Sequence, residues 1–448
     1  MPAIEQLRAA VAGEVIGPED AAYEDARKVW NAMIDRRPRA IARCSSVADV
    51  AAAVRVARES DWSVAVRGGG HNAAGLAVCD DGLVIDLSSM RSVDVDGLAK
   101  RARAQGGATW SDFDAATARH SLATTGGAIS TTGIGGLTLG GGIGYLMRRY
   151  GLACDNLVSV EMVTAAGETI TANADNRPDL FWGVRGGGGN FGIVTTFEYQ
   201  LHPLESVLGG MLLYPIEKAR ETLAFYRELM EGAPDELTVF SALMTLPDGT
   251  RVVAFLVGYC GPLEEGEKVL RPAREFGPPM MDQIGPMPYP KLQSMLDDGF
   301  ASGLQVYWRS NFLGGVPDDA IDELIDHFSR VTSPLSALML EPLGGAVARI
   351  GADDTAFNHR DAAFNLAIIA RWEDPGDSQE HIAWVRAVHE AMDRFTTGGV
   401  YVNYLGEEGQ DRVRAAYGDD KYARLVALKD EYDPDNFFRR NQNIQPSA

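Results

Sequence analysis

The chain has 448 residues, 46% of them hydrophobic, enough for two or more domains each with its own core. Its formal charge of −21, with no long basic run, argues against a nucleic-acid binder, because phosphate backbones are held by patches of Lys and Arg. Cys44, Cys79, Cys154 and Cys260 are far apart and form no CxxC pair, so neither a disulfide scaffold nor a metal site is indicated. The opening MPAIEQLRAAVAGEVIGPED lacks a signal-peptide core and no apolar stretch approaches a membrane span, so a cytoplasmic protein without a membrane partner is expected.

In chain order, residues 47–60 carry the apolar spacing of a helix, and 62–66 and 83–87 read as short strands. Between those strands stands RGGGHN at 67–72. Three glycines at a strand end supply backbone that can close on a diphosphate, and the His71 imidazole can reach a cofactor; the plain alternative is an ordinary turn. At 128–144, AISTTGIGGLTLGGGIG is too rich in glycine for an ordinary element and suits backbone lying against something flat or anionic. YLMRRYGLACDN follows, a helical turn leading into a strand. In RGGGGNFGIV at 185–194, Gly187, Gly189 and Gly192 have GxGxxG spacing. A dinucleotide fingerprint requires a helix next, whereas IVTTFEYQLHP alternates like a strand, so no NAD-binding fold is indicated.

After about residue 203, strands predicted at 236–246, 251–259, 304–313, 335–343 and 362–372 interleave with amphipathic helices at 217–231, 318–330 and 378–394, the pattern of a separate α+β domain. The later strands carry Tyr307, Trp308, Arg309, Asn365 and Arg371, with His359 and Arg360 in the turn before the last; these residues line a substrate site or fill a core. At YVNYLGEEG and YDPDNFFRRNQNIQP the glycine and asparagine flavour returns, and the tail is expected to fold back onto the first domain.

RGGGHN at 67–72, GIGGLTLGGGIG at 133–144, YGLACDN at 150–156, DLFWGVRGGGGNFGIVT at 179–195, YVNY at 401–404 and YDPDNFFRRNQNI at 432–444, in this order, resemble the berberine bridge enzyme-like flavoproteins of the vanillyl-alcohol oxidase superfamily. The resemblance spans nearly the whole chain, and the N-terminal third is nearest to the bacterial 6-hydroxy-D-nicotine oxidase type. It implies an α+β, two-domain PCMH-type FAD-binding fold. Residues 1–203 and 400–448 would form the FAD domain, and 204–399 a substrate domain whose antiparallel sheet, flanked by helices, roofs the flavin.

By the same resemblance, Arg67, Gly68, Gly69, Gly70, Asn72 and Gly75 cradle the FAD diphosphate, and His71 bonds covalently to the flavin 8α-methyl carbon. Thr131, Thr132, Gly133, Gly136, Gly140, Gly141, Gly144, Gly192, Ile193, Val194, Tyr401, Asn403 and Asn441 would bind the cofactor. The second linking residue of many relatives, a cysteine, falls where this chain has Ile129, so attachment through His71 alone is expected and Cys154 is assigned to packing.

On the catalytic side the resemblance makes Tyr404 the base that takes a substrate proton as hydride passes to flavin N5, with Tyr150 also in the active site. A phenol with an ordinary pKa of about 10 needs a neighbouring cation or hydrogen-bond donor for that role. The Lys and Gln that relatives place on the strand after the HR pair are absent from AAFNLAIIARW, leaving Arg309, Asn365, His359 or Arg371 as possible supports. Tyr307, Arg309, His359 and Asn365 are the candidate substrate contacts, although His359 and Arg360 could equally be a structural pair, and YVNY could be a strand that only packs aromatics.

The 6-hydroxynicotine oxidase type lacks the YVNY tyrosine, so its amine chemistry is not carried over. An alcohol must lose its hydroxyl proton as hydride leaves, so Tyr404 points to oxidation of a hydroxyl group on a sugar, phenolic or secondary metabolite. An amine oxidase, a flavin dehydrogenase with another acceptor and a non-catalytic flavin carrier are the alternatives. Thr132 stands where relatives have a valine that opens, or a leucine that blocks, the space beside the flavin; being valine-sized, it implies that O2 enters and H2O2 is formed. Substrate and O2 are the only partners implied, and monomer and homo-oligomer both stay open.

Overall fold

The computed structural model describes residues 3–447. Its first sheet forms where β-branched and aliphatic residues run together. Val64–Arg67 and Leu83–Asp86 lie parallel, with Val64 opposite Leu83 and Arg67 opposite Asp86, and Ala40–Arg43 flanks the second of them, also parallel. Helix Val47–Glu59, capped by the Ser46 side chain accepting from the Asp49 N–H, buries Val50, Ala53, Val54 and Ala57 against this layer. Parallel neighbours need a crossover. Between Val64–Arg67 and Leu83–Asp86 the crossover is the irregular segment 68–82, so the glycines after Arg67 are held at the exit of a buried strand.

A five-stranded antiparallel sheet follows, ordered Val93–Asp96, Arg101–Gln105, Ile193–Gln200, Leu157–Val163, Thr169–Asn173. Ile193–Gln200 starts directly after Gly192, so the GxGxxG spacing feeds a strand and not a helix.

The remaining large sheet is eight-stranded and antiparallel. Its strands Leu237–Thr245, Arg251–Tyr259, Gln305–Leu313, Ala337–Pro342 and Phe364–Trp372 agree with the predicted ones to within a few residues at each end. Helices Ala219–Glu231, Leu263–Glu275, Asp318–Ser329 and Ser378–Met392 cover one face, where Leu338, Leu340, Leu366 and Ile368 are buried. The alternate residues Met339, Ala367 and Ile369 point to the opposite face, into a core shared with Tyr145, Leu152 and Tyr401. The sheet is therefore a partition, with its own helices behind it and the rest of the chain in front.

The C-terminal segment returns to the first half of the chain: Val400, Val402, Leu405, Leu425 and Ile444 share one core with Trp110, Phe197 and Tyr199. At its centre the ammonium of Lys429, fully buried, donates to the carbonyls of Asn190 (2.9 Å) and Phe438 (2.9 Å) and to Asp433 (2.7 Å). Burial pulls the lysine down and the Asp433 charge opposes this. Among the described residues no helix is long and apolar enough to cross a membrane.

Because removing one member of a buried, hydrogen-bonded ion pair leaves the other uncompensated, Lys429→Met is expected to cost about 3–5 kcal/mol in urea-unfolding measurements. A loss below about 1 kcal/mol, the scale of an exposed pair, would contradict this role.

Candidate functional site

Between the two halves lies a cleft enclosing about 1710 Å³, part of it open to solvent. Glycines from three segments line it, Gly68, Gly69 and Gly70, then Gly133, Gly135 and Gly136, then Gly188, Gly189 and Gly192. Gly69 and Gly133 are required by close approach: a Cβ on Gly69 would stand 2.4 Å from the Gly133 nitrogen, and one on Gly133 would stand 2.3 Å from the Gly69 nitrogen. Gly136 and Gly189 border open space, with nothing within 4 Å of the missing Cβ. The first pair joins two loops, and the second keeps the cleft wide.

The cleft also holds polar atoms without partners. The Tyr417 hydroxyl, Asn441 Oδ1 and Trp308 Nε1 line it, buried and unbonded, and such groups are costly unless something satisfies them. Glu341 and Arg440 are the only charged side chains among the described lining residues. A glycine-walled slot carrying unsatisfied donors and acceptors and one cation fits a long, flat, anionic molecule such as FAD. Among the described residues no cluster suited to a metal ion exists.

His71 lines the cleft with its ring stacked on Trp30 (centroids 4.9 Å apart, planes 19° apart) and Nε2 2.9 Å from the Thr131 hydroxyl. Burial lowers the imidazole to about 4, opposed by the Asp297 charge, so the ring is neutral at physiological pH and keeps a nucleophilic lone pair. Of the residues singled out in the sequence, Gly68, Gly69, Gly70, Asn72, Thr132, Gly133, Gly136, Gly192, Ile193, Val194, Tyr401, Asn403, Tyr404 and Asn441 also line the cleft.

YVNY is not a strand: Val402–Tyr404 is a 3₁₀ turn. The Tyr401 hydroxyl accepts from the Gly142 N–H (3.0 Å), the Ile143 N–H (3.3 Å) and Asn403 Nδ2 (2.9 Å), while the same Asn403 amide donates to the Leu137 carbonyl (3.0 Å). The turn is thereby pinned to the second glycine segment, leaving Tyr404 free to face the roof.

There the Tyr404 hydroxyl donates to Glu341 Oε1 (2.9 Å), and Asn365 Nδ2 donates to Glu341 Oε2 (2.6 Å). Trp308 meets the Tyr404 ring edge-on at 5.0 Å. Burial raises the Glu341 carboxyl to about 7, against the two hydrogen bonds that favour its ionised form. Burial, together with the adjacent Glu341 charge, pushes the Tyr404 phenol well above its usual range. The support for Tyr404 is thus a carboxylate and not a cation, and a free phenolate is disfavoured.

Several residues stand elsewhere than the sequence implied. Arg67 does not line the cleft: it is buried, donating to Asp86 (2.7 Å) and the Ala26 carbonyl (2.7 Å), and it clamps the end of the parallel pair. Gly75, at φ +68°, serves a turn against Ile34. Gly140, Gly141 and Gly144 lie behind the wall, where a Cβ would strike Asn403, Phe357 and the Gly126 carbonyl. Thr131 touches His71 without lining the cleft.

Tyr150 lies outside the cleft lining, stacked on His202 at 3.9 Å. Tyr307 packs toward the helices behind the roof, its hydroxyl 3.2 Å from Arg309, whose guanidinium pairs with Glu408 at 3.3 Å. Side chains alternate along a strand, so their neighbour Trp308 is the one that enters. His359 Nε2 bonds the Ala415 carbonyl (2.8 Å) outside the cleft lining, and Arg371 lies over Phe300, donating to the Leu335 carbonyl. Of the candidate supports only Asn365 reaches Tyr404, through Glu341. Sequence reasoning missed Glu341, Arg440 and Tyr417; the acid in the apolar run ALMLEP was the available signal. Cys154 is fully buried, and burial raises its thiol well above normal.

Comparison with known proteins gives two family matches, the FAD binding domain over residues 38–173 and the berberine and berberine-like family over residues 400–445. An FAD-linked oxidoreductase of Dictyostelium discoideum is 32% identical, covering 94% of this chain and 92% of its own. (R)-6-hydroxynicotine oxidase of Paenarthrobacter nicotinovorans is 33% identical and covers 98% of both chains. The crystal structure of 6-hydroxy-D-nicotine oxidase from Arthrobacter nicotinovorans superposes with a TM-score of 0.90 at 31% identity, covering 98% of both chains.

Gly136 lies within helix Ile134–Leu139, so Gly136→Ala is expected to stabilise the flavin-free protein by up to about 1 kcal/mol. Its methyl group enters the cleft, so flavin retained through gel filtration is expected to fall. Lower stability with full flavin content would refute this placement of the wall.

Proposed function

Because the chain belongs to the berberine bridge enzyme-like FAD-linked oxidoreductases, we propose that it is an oxidase with FAD attached covalently through His71 alone, acting on a hydroxyl-bearing carbon of a small sugar, phenolic or secondary metabolite. Bound FAD supplies a hydride acceptor at N5 and a route for two electrons to O2. The chain's own residues supply the remainder.

The observation that carries this reading is the hydrogen bond from Tyr404 to Glu341, itself held by Asn365, at the roof of the cleft. As hydride leaves the substrate carbon, the hydroxyl proton must go to a base. Tyr404 takes that proton while passing its own to Glu341, so no free phenolate is formed. Glu341, raised to about 7, is poised to receive it near neutral pH, and Asn365 holds the carboxylate in place. Trp308, edge-on to Tyr404, gives this end an aromatic wall against which a ring can pack. Thr132, in the cleft wall and itself valine-sized, would leave room for O2 as a valine does at that place.

The neutral imidazole of His71 supports the covalent link, because its lone pair can attack the electrophilic 8α carbon of the flavin. A bond there raises the flavin's reduction potential and prevents its loss. Ile129 lines the cleft without a nucleophile, which favours a single attachment.

A second reading, amine oxidation, is favoured by one observation. Among the described residues Glu341 is the charged side chain at the roof of the cleft, and a carboxylate there can pair with an ammonium group. A relative covering 98% of the chain is named (R)-6-hydroxynicotine oxidase. Anaerobic mixing with panels of alcohols and amines, read by bleaching of the flavin, separates the two readings, and peroxide release on admitting air tests the oxidase. Bleaching by amines alone would overturn the alcohol reading, and sluggish reoxidation in air would overturn the oxidase.

Glu341→Gln is expected to lower kcat by about 10²–10⁴, the range for a lost general base. In the unmodified protein kcat/KM should fall as pH drops below about 7, where Glu341 becomes protonated, and this limb should vanish in the variant. An unchanged acidic limb in Glu341→Gln would show that another group accepts the proton.

A further inference from the structure

Thr131 has no contact with the cleft itself, yet it is the residue bonded to His71. We propose that Thr131 is the positioning residue for covalent attachment: by accepting a hydrogen bond from Nε2 of His71 it fixes the imidazole tautomer and presents Nδ1 as the linking atom. The proposal rests on the histidyl attachment proposed above.

Three restraints make Thr131 a fixed post. The carbonyls on either side of it, of Ser130 and Thr132, accept from the N–H groups of Ser111 (2.8 Å) and Trp110 (3.0 Å). These donors open helix Trp110–Ala118 and have no partner within that helix, so the segment caps the helix while the helix immobilises the segment. Third, the Ser130 N–H and hydroxyl both donate to the Asp297 carboxylate, at 2.8 Å and 2.6 Å. Asp297 comes from the part of the chain that includes the roof, so one of the three restraints joins the two halves.

The imidazole is held from its other sides as well. Trp30 stacks on the ring, and its backbone N–H donates to the Gly70 carbonyl (3.2 Å) while its indole N–H donates to the Phe300 carbonyl (2.8 Å). With the ring plane set by Trp30 and Nε2 tied to Thr131, the remaining freedom is the choice of which nitrogen carries the hydrogen. An acceptor at Nε2 favours hydrogen there, which leaves the lone pair on Nδ1.

The attachment then balances. A bond forms between Nδ1 and the 8α carbon, one C–H bond of the methyl group breaks, and the imidazole gives up its Nε2 hydrogen. Two protons and two electrons leave in all, and O2 takes them as H2O2. Once Nε2 has lost its hydrogen, the Thr131 hydroxyl can turn and donate to it, because a hydroxyl serves in either direction. Serine would keep this ability and valine, of nearly the same shape, would not.

The test follows attachment itself. Full-length protein made under flavin starvation is mixed with FAD in air, and covalent flavin is followed by its fluorescence in denaturing gels, with total bound flavin measured after gel filtration. Thr131→Val is expected to bind FAD and to attach it about tenfold more slowly, the equivalent of one lost hydrogen bond. Thr131→Ser is expected to attach it at the unmodified rate. Attachment by Thr131→Val at the unmodified rate, or a Thr131→Ser variant as slow as Thr131→Val, overturns the proposal. Covalent flavin in His71→Ala would instead overturn the histidyl reading.

Discussion

Two stretches of backbone touch at Gly69 and Gly133, so closely that a methyl group on either would lie within 2.4 Å of the other's nitrogen. The contact joins the crossover after Val64–Arg67 to the segment leading into helix Ile134–Leu139, and neither could approach this far with side chains present. Much else is arranged to hold it. The buried Arg67–Asp86 pair fixes the strand end from which the first loop leaves, and the start of helix Trp110–Ala118 grips the second loop through the carbonyls of Ser130 and Thr132. His71 follows the first loop and Thr131 precedes the second, so the backbone contact also brings these two side chains together.

The C-terminal segment completes what the loops begin. Lys429 fastens the C-terminal segment to the turn at Asn190 and to Phe438, placing Asn441 along the cleft with an unsatisfied oxygen facing a cofactor-sized space. The same segment carries the Tyr401 turn, which is pinned to the second glycine stretch and turns Tyr404 toward the roof. The roof contributes the acid. In the function proposed above, cofactor binding falls to backbone and the C-terminal segment, and proton handling to one buried carboxyl held between an amide and a phenol.

The glycine segments, the alternation after Gly192 and the positions of five of the roof strands were legible, because each depends on local composition and period; the strand Val207–Pro215 and the order of strands in the sheet were not. Three aspects of the site were not. The phase of Gln305–Leu313 was hidden because both of its faces are buried, with Tyr307 behind and Trp308 in front, so no polar alternation marks the cleft side. Glu341 lies at the end of a strand, where an acid ordinarily meets water, and its partner Tyr404 is 63 residues away. Arg67, beside a phosphate-type loop, looked like a ligand contact; only the fold shows that Asp86, from the neighbouring strand, already holds it.

The central claim is that this glycine-walled cleft holds FAD with His71 as its covalent anchor. Trypsin cleaves after Arg67 and Arg91, releasing residues 68–91 as one peptide with His71 within it. Mass spectrometry of that peptide from protein purified with its flavin should show it carrying the mass of FAD on His71, with no other peptide so modified. An unmodified 68–91 peptide beside flavin on Cys154, or flavin released free on denaturation, would contradict the account.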